Sequence, residues 1–483
     1  MTNHPFLNHF NSKKKSFSLK ELSTGKEFTS LELLESSRVL ATALASSFKI
    51  GRADLVVTYF DNRHESILIN LALMHLGAII VPINPDFRES DIKAITSQFD
   101  CRHYLFFPEN KMEREPAHCL DEDFFSKAKK ELPIEKIFQS IDLPYFQIVY
   151  SSGSSGIPKG IPVNFDKLYQ NAVAFSKSHG ITSDIRMYNI LPLAYLGGWY
   201  NMFLIPFINE GSIILDSPFG SKNLYSFWQT ILDESINSIW LNPMMMSMLT
   251  KVGLDEDIST ERVSKQIKWG FVGMAPLNSV THSQFKKSFE IDLLENYGLS
   301  ETFFLSSIIE STKEAKGSLG EVIEGIEIKI IDGEILVKSP FMFDHYFKNP
   351  TQSAESFQDG YFKTGDIGKV DEANRLYILG RKKNIIIRGG INISPKEVEA
   401  QILEIPEIQE VVILGFEHEY YGECLGCLIK VKDEKLTLKE VKKKLKNVLS
   451  SIKVPDKILL VDEFPINASG KFDLVAIKKM FDE

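Results

Sequence analysis

Residues 54–83 read DLVVTYFDNRHESILINLALMHLGAIIVPI. A strand-like run, DLVVTYF (54–60), is followed by a helix-like run, HESILINLALMHLG, and then by a second strand-like run, AIIVPI (78–83). This is the pattern of a βαβ unit, in which a helix carries the chain between parallel strands and covers the sheet. Ile67 to Ile83 is the longest apolar stretch in the chain, but Asn70, His75 and Gly77 interrupt it and it ends in VPINP. A buried helix followed by a buried strand explains it better than a membrane-spanning helix.

Outward from that unit the rhythm repeats at SIILD (212–216), SIWLNP (238–243) and KWGFVG (268–273), which gives an α/β fold. From about Gly320 the texture changes. GEVIEGIEIKIIDGEILVKS alternates apolar with polar residues and turns at Asp332-Gly333, as antiparallel hairpins do. A short charged stretch, Leu379-Gly380-Arg381-Lys382-Lys383-Asn384, then separates apolar runs, and the domain boundary is placed there. With 483 residues, more than one core is expected: residues 1–381 form a large N-terminal domain and residues 382–483 a small α+β domain.

Composition narrows the function. Hydrophobic residues make up 43% and charged residues 25%, the balance of a folded globular protein. A net charge of -9 gives no sign of a general nucleic-acid binder. Four cysteines are too few for a disulfide framework, which points to a reducing, cytoplasmic setting. Cys424 and Cys427 form a C-x-x-C, but no second pair has zinc spacing and the flanks are apolar, so they read as small apolar strand residues. MTNHPFLNHFNSKKKSFSL lacks the apolar core of a secretory signal. The lysine-rich segment LTLKEVKKKLKNVLSSI, with Lys439, Lys442, Lys443, Lys444 and Lys446, reads either as a solvated helix face or as a docking face for an anionic partner.

The clearest candidate for chemistry is Tyr150-Ser151-Ser152-Gly153-Ser154-Ser155-Gly156-Ile157-Pro158-Lys159-Gly160, placed after the strand-like run Phe146 to Tyr150. Glycines let a loop fold closely around phosphates, backbone N–H groups and hydroxyls donate to them, and Lys159 adds positive charge. The Walker A pattern fits nowhere in the chain. On composition alone Ser/Gly runs are more often flexible linkers, but a linker would not need to sit between a buried strand and Pro158-Lys159-Gly160. Three shorter strings are weaker in isolation: Tyr297-Gly298-Leu299-Ser300-Glu301, Tyr361-Phe362-Lys363-Thr364-Gly365-Asp366, and Pro465-Ile466-Asn467-Ala468-Ser469-Gly470-Lys471.

Taken together and in this order, the strings resemble the adenylate-forming superfamily of acyl-CoA synthetases, stand-alone adenylation enzymes and luciferases. The resemblance runs from about residue 30 to the end. LGAIIVPINP (76–85), YSSGSSGIPKG, LPLAYLGGW (191–199), GMAPL (273–277), NYGLSE (296–301), GEILVKS (333–339), YFKTGD (361–366), GRKKNIIIRGGINISPKEVE (380–399) and NASGK (467–471) look like the landmarks of that family. It implies a large domain of two α/β layers and a β-barrel-like part, capped by a small mobile α+β domain that swings about a hinge at Lys383. It also implies ATP, Mg2+ and either CoA or a carrier-protein phosphopantetheine as reactants. A carboxylic acid would be joined to AMP with release of pyrophosphate, and a thiol would then displace AMP.

The same resemblance assigns roles. Lys471 would bridge the substrate carboxylate and the α-phosphate. Ser151, Ser152, Gly153, Ser154, Ser155, Gly156 and Lys159 would hold the β- and γ-phosphates. Ser300 would contact the α-phosphate, and Glu301 would bind Mg2+. Tyr297 would stack on adenine, with Gly298, Asn296, Gly273, Ala275 and Pro276 around it. Asp366 would accept from the ribose hydroxyls beside Arg381, a task that suits a carboxylate. Gly389 and Gly390 would flank the thiol tunnel, and Tyr195, Trp199, Phe271, Met274 and Phe303 would line the acyl pocket.

Tyr195 stands where the family often has histidine. Leu196 stands where amino-acid-activating members carry an aspartate for the substrate ammonium, and a buried leucine cannot pair with an ammonium. The expected substrate is therefore an aryl or aliphatic acid. The leading reading is a carboxylate–CoA ligase. The alternative is an enzyme that loads an acyl carrier protein, suggested by Lys471-Phe472-Asp473 and the basic helix. Lys471, Glu301 and Asp366 argue against a non-enzymatic adenylate-binding regulator.

Overall fold

The computed structural model describes residues 4–11, 17–87, 89–110, 117–151, 158–277, 279–309, 317–432, 436–465 and 472–481. Residues 54–83 fold as the alternation requires. Leu55–Tyr59 and Ile79–Ile83 are parallel strands with Val56 opposite Ile80, and His64–Leu76 is the helix between them. Every side chain of that helix except Glu65 is buried, so its apolar surface meets protein on all sides. The helix closes on Gly77 at φ 72°, whose N–H donates to the carbonyls of Leu73 and Met74. A side chain there would meet Gln139 at 3.1 Å and Arg52 at 3.2 Å. Among the described residues no helix is long and apolar enough to cross a membrane.

These strands belong to a six-stranded sheet, in the order Ala117–Cys119, His103–Phe106, Leu55–Tyr59, Ile79–Ile83, Gln147–Ser151 and Lys159–Val163. Only the last pair is antiparallel, with Ser151 opposite Lys159. The Ser/Gly run therefore connects two neighbouring strands. Ser152, Gly153, Ser154, Ser155 and Gly156 themselves lie outside the described residues.

A nine-stranded sheet carries the second α/β layer. In it Ser238–Leu241, Trp269–Val272 and Leu294–Leu299 run parallel and side by side. Their C-terminal ends share one edge, where ligand sites of open α/β sheets are usually found. One apolar cluster contains side chains of both sheets, among them Ile80, Leu105, Trp240 and Phe271.

The segment read as hairpins is a five-stranded antiparallel sheet. Glu327–Ile331 pairs with Glu334–Lys338 through a turn in which Asp332 and Gly333 have φ of 49° and 79°, the conformation of a tight primed turn. Tyr361–Val370 pairs with that hairpin, with Phe357–Gln358 and with Leu376–Arg381. This sheet stands where the resemblance implies a barrel-like part, and among the described residues its strands pair in an open path that does not close on itself.

Past Arg381 a short 3-10 turn, Lys382–Asn384, leads into a last sheet of Ile386–Arg388, Ile391–Ile393, Ile408–His418, Gly422–Val431 and Lys457–Leu460. Helices Pro395–Leu403 and Leu438–Val448 pack on it, and its apolar clusters contain only residues from this part of the chain. Cys424 and Cys427 are buried free thiols on the long strand Gly422–Val431, as read from the sequence.

Candidate functional site

The hairpin that carries NYGLSE is held by close backbone packing. The Asn296 amide donates to the Val272 carbonyl at 3.0 Å. A Cβ on Gly273 would fall 2.5 Å from the Asn296 side-chain oxygen, so glycine is needed where the two strand ends meet. At Gly298 a Cβ would fall 2.0 Å from the Phe303 carbonyl oxygen. Phe303 itself takes φ of 57°, and the Leu299 N–H donates to Thr302 Oγ1 at 3.2 Å. This tight turn presents the half-buried side chains of Ser300 and Glu301 at the sheet edge.

Two clusters grow from it. In the first, the Tyr297 hydroxyl donates to Asp366 Oδ2 at 2.5 Å, and Arg381 Nε contacts Asp366 Oδ1 at 2.8 Å. Asp366 and Arg381 are cross-strand partners, and Arg381 also donates to the Thr364 carbonyl. Asp366 is buried. Burial raises its carboxyl above the ordinary range, opposed by the Arg381 charge and the Tyr297 hydroxyl. Each carboxylate oxygen keeps a further lone pair.

In the second cluster, the buried Tyr346 donates to Glu301 Oε1 at 2.9 Å, and the Phe343 N–H donates to the Glu301 carbonyl at 2.8 Å. The Lys159 ammonium lies 5.2 Å above the Tyr346 ring, and the Phe347 N–H donates to the Gly160 carbonyl at 2.8 Å. Residues 343–347 thus tie the start of the strand after the Ser/Gly run to Glu301. Burial raises the Glu301 carboxyl, opposed by hydrogen bonds from its own N–H and from Tyr346 and by the charges of Lys159 and Arg381. Lys383 feels the same cations: burial lowers its ammonium, and Arg381 and Lys159 lower it further.

Three more residues of this region were given no role by the sequence, although Lys396 lies within the landmark string at 380–399. Tyr346 sits in a string without a motif, SPFMFDHYFKNP. Its only local cue is the helix start at Asn349-Pro350, which fixes the end of that segment. Glu295 is pushed up to about 7 by burial, opposed by the Lys396 charge and the Leu277 N–H. Lys396, near the start of helix Pro395–Leu403, is lowered by burial, and the charges of Asp366, Glu295 and Glu399 oppose this. The charges of Asp366 and Glu295, which precede residue 381, thus act on Lys396, which follows it.

The residues expected at the acyl side fall into two groups. Tyr195 is partly exposed, and its hydroxyl accepts from the Asn84 amide at 3.2 Å. Met274 is exposed at φ 67°, with its sulfur 3.1 Å from where a Gly197 Cβ would sit. Trp199 is buried and stacks on Phe203, and Phe303 is buried near Tyr200. Phe271 is set back in an aromatic core stack with Trp240, Phe175 and His179. Ala275 and Pro276 lie in the loop after Trp269–Val272. Gly389 and Gly390 form the tip of the hairpin Ile386–Arg388/Ile391–Ile393, where the Gly389 N–H donates to the Tyr421 carbonyl at 2.8 Å. Ser151 is a strand residue whose side chain is not described, and Lys471 lies outside the described residues.

The donor set suits a nucleoside triphosphate with a divalent cation. A buried carboxylate beside an arginine can grip two hydroxyls. Lys159, Arg381 and Lys383 lie within reach of one another's charge, and cations of this kind can pair with phosphates, while Glu301 offers a hard oxygen ligand of the kind Mg2+ takes.

A family model described as "AMP-binding enzyme" matches residues 10–347, and one described as "AMP-binding enzyme C-terminal domain" matches residues 397–471. The chain belongs to the AMP-binding enzyme family. Among its relatives, 2-succinylbenzoate–CoA ligase of Bacillus licheniformis is 28% identical over 461 residues, covering 92% of this chain and 93% of that protein. Malonate–CoA ligase of Arabidopsis thaliana is 28% identical over 447 residues, covering 85% and 72%. The crystal structure of ATP-bound MatB from Rhodopseudomonas palustris shares the fold with a TM-score of 0.88 at 22% identity, covering 100% of this chain and 99% of that one.

Proposed function

We propose that this AMP-binding enzyme is an AMP-forming acid–CoA ligase. It activates a carboxylic acid with ATP and Mg2+ and transfers the acyl group to CoA. The observation that carries the reading is the convergence of Lys159, Glu301, Asp366 and Arg381 around one sheet edge, tied by Tyr297 and Tyr346.

In the first half-reaction a carboxylate oxygen bonds to the α-phosphorus of ATP, and the bond between that phosphorus and the bridging oxygen to the β-phosphate breaks. Pyrophosphate leaves with the electron pair. Both reactants are anions, so catalysis rests on positioning and charge neutralisation rather than on proton transfer. Asp366 holds the ribose hydroxyls, and Tyr297 both fixes Asp366 and offers its ring to adenine. Lys159, with the serines of the Ser/Gly run, holds the β- and γ-phosphates. Glu301, held by the Tyr346 hydroxyl, would bind Mg2+, which when bound would supply charge neutralisation at the phosphates. Lys471 is assigned to the carboxylate and the α-phosphate by its place in NASGK. In the second half-reaction the thiol sulfur bonds to the acyl carbon, its proton goes to solvent, and AMP leaves.

The domain boundary is placed between Arg381 and Lys382. Rotation there about Lys383 would exchange Lys471 for the Gly389-Gly390 hairpin between the two half-reactions. It would also part Lys396 from Asp366 and Glu295. The enzyme is assigned to the cytoplasm, where buried free thiols such as Cys424 and Cys427 persist.

A second acceptor is favoured by one observation. Lys439, Lys442, Lys443 and Lys446 are exposed along one side of helix Leu438–Val448, opposite the buried Val441 and Leu445, whereas Lys444 is paired with Glu407 at 2.7 Å. Such a stripe suits an acidic carrier protein. The experiment is acid-dependent pyrophosphate release with ATP and Mg2+, with and without CoA. Strong stimulation by CoA and appearance of acyl-CoA support the ligase. Acid-dependent exchange that ignores CoA supports the carrier.

A further inference from the structure

Asp366 is presented by an irregularity in its strand. Glu334 pairs with Ile367 and Leu336 with Lys363, so one residue of the hairpin, Ile335, stands opposite Thr364, Gly365 and Asp366 of Tyr361–Val370. Such a bulge re-aims a side chain, and the backbone groups it frees from the ladder need other partners. Gly365 supplies the φ of 72° at its centre. Thr364 Oγ1 donates to the Ile335 carbonyl at 2.7 Å and accepts from the Asp366 N–H at 3.0 Å, and Arg381 donates to the Thr364 carbonyl at 3.1 Å. The Gly365 N–H donates to Glu334 Oε1 at 3.1 Å.

Glu334 opens the strand Glu334–Lys338, and its side chain is only 7% exposed. Its other oxygen, Oε2, accepts from the Lys382 ammonium at 2.7 Å. A carboxylate so buried is costly unless paired and hydrogen-bonded, so these two bonds fix it, and it in turn holds the bulge. Arg381 and Lys382 are consecutive, and they meet neighbouring acids: Arg381 contacts Asp366 at 2.8 Å, and Lys382 contacts Glu334. We propose that Glu334, anchored by Lys382, is the positioning residue that holds the bulge at Thr364, Gly365 and Asp366 so that the Asp366 carboxylate meets the ribose hydroxyls. The proposal rests on the reading of Asp366 as the ribose-binding residue.

The test is the preference of the full chain for ATP over 2′-deoxy-ATP, taken as the ratio of the two Kd values from calorimetric titration with Mg2+ and no acid. The parent should bind ATP about tenfold or more tightly, because the deoxy analogue leaves a carboxylate lone pair unmet. Glu334→Gln and Lys382→Met should each shrink that ratio about fivefold, the scale of a part-exposed ion pair, and the double variant should shrink it no further. Lys382→Arg, which keeps the cation, should restore it. A field effect alone acts the other way in Glu334→Gln: the Glu334 charge pushes the Asp366 carboxyl up, and removing it would widen the ratio. A merely structural role weakens both nucleotides alike and leaves the ratio unchanged. Either of these results overturns the proposal. Should Glu334→Gln fail to fold, Lys382→Met alters a side chain that is 61% exposed, and an unchanged ratio there still overturns it. A ratio that collapses in Asp366→Asn but keeps the parent value in Lys382→Met overturns the proposal and leaves the ribose reading standing. A parent that binds both nucleotides equally overturns both.

Discussion

Replacing Tyr346 with phenylalanine removes one hydroxyl and little else. The ring keeps its packing against Phe343, at 4.9 Å, and its place under the Lys159 ammonium. What is lost is the 2.9 Å hydrogen bond to Glu301 Oε1. A hydrogen bond to an ionised group contributes about 1.5–3 kcal/mol. Water replaces part of this, because Glu301 is only half-buried. The lower end of the range is therefore the appropriate figure, equivalent to roughly tenfold in affinity. If Tyr346 aims Glu301 at the metal, the Mg2+ concentration for half-maximal pyrophosphate release should rise about tenfold, with the KM for the acid nearly unchanged. Calorimetric titration of the variant with Mg2+ and ATP should show the same loss, independently of turnover. A well-folded Tyr346→Phe enzyme with an unaltered Mg2+ dependence would refute the reasoning.

Other perturbations probe separate parts of the account. Asp366→Asn weakens the contact with Arg381 and the bond from Tyr297, and should raise the KM for ATP by about tenfold or more while sparing the KM for CoA, read by steady-state kinetics. Gly298→Ala drives a Cβ into the Phe303 carbonyl, 2.0 Å away. The hairpin turn must shift, and a displacement of about 1 Å at Ser300 and Glu301 should lower pyrophosphate release by about a hundredfold. His75 is buried with Nδ1 accepting from the Phe138 N–H and Nε2 facing Ser37 Oγ, and burial holds it near 3. The unfolded chain takes up a proton below the ordinary histidine value while the folded chain does not, so stability is present above that value and is lost as pH falls toward 3. From pH 7 to pH 5 this group should remove about 2 kcal/mol, and urea denaturation should show a flatter pH slope for His75→Gln than for the parent.

How much was legible in the sequence depends on the range of the physics involved. The βαβ unit at 54–83 was readable because its signals are local: a strand-like run, an enclosed apolar helix and a second strand. The hairpin at Asp332-Gly333 was readable for the same reason, since the turn demands those residues. Asp366 and Arg381 were named side by side by resemblance, and the antiparallel register puts them opposite each other. Tyr346 was not legible, because its value comes from an approach to Glu301 across 45 residues of sequence. Glu295 and Lys396 were given no role because each acts on the other's charge from 101 positions away in the sequence, a distance no local pattern spans. Phe271 shows the limit of apolar composition. It was named for the acyl pocket, and an aromatic residue on a strand does not announce whether it lines a cavity or fills the core stack behind it.

The central claim is the coupling of acid activation to CoA through AMP. The direct measurement is mass spectrometric quantification of products after incubation with ATP, Mg2+, CoA and an accepted acid. The account predicts equal amounts of AMP, pyrophosphate and acyl-CoA, and loss of all three on Lys471→Ala. Formation of ADP and phosphate, or of acyl-AMP that CoA never consumes, would contradict it.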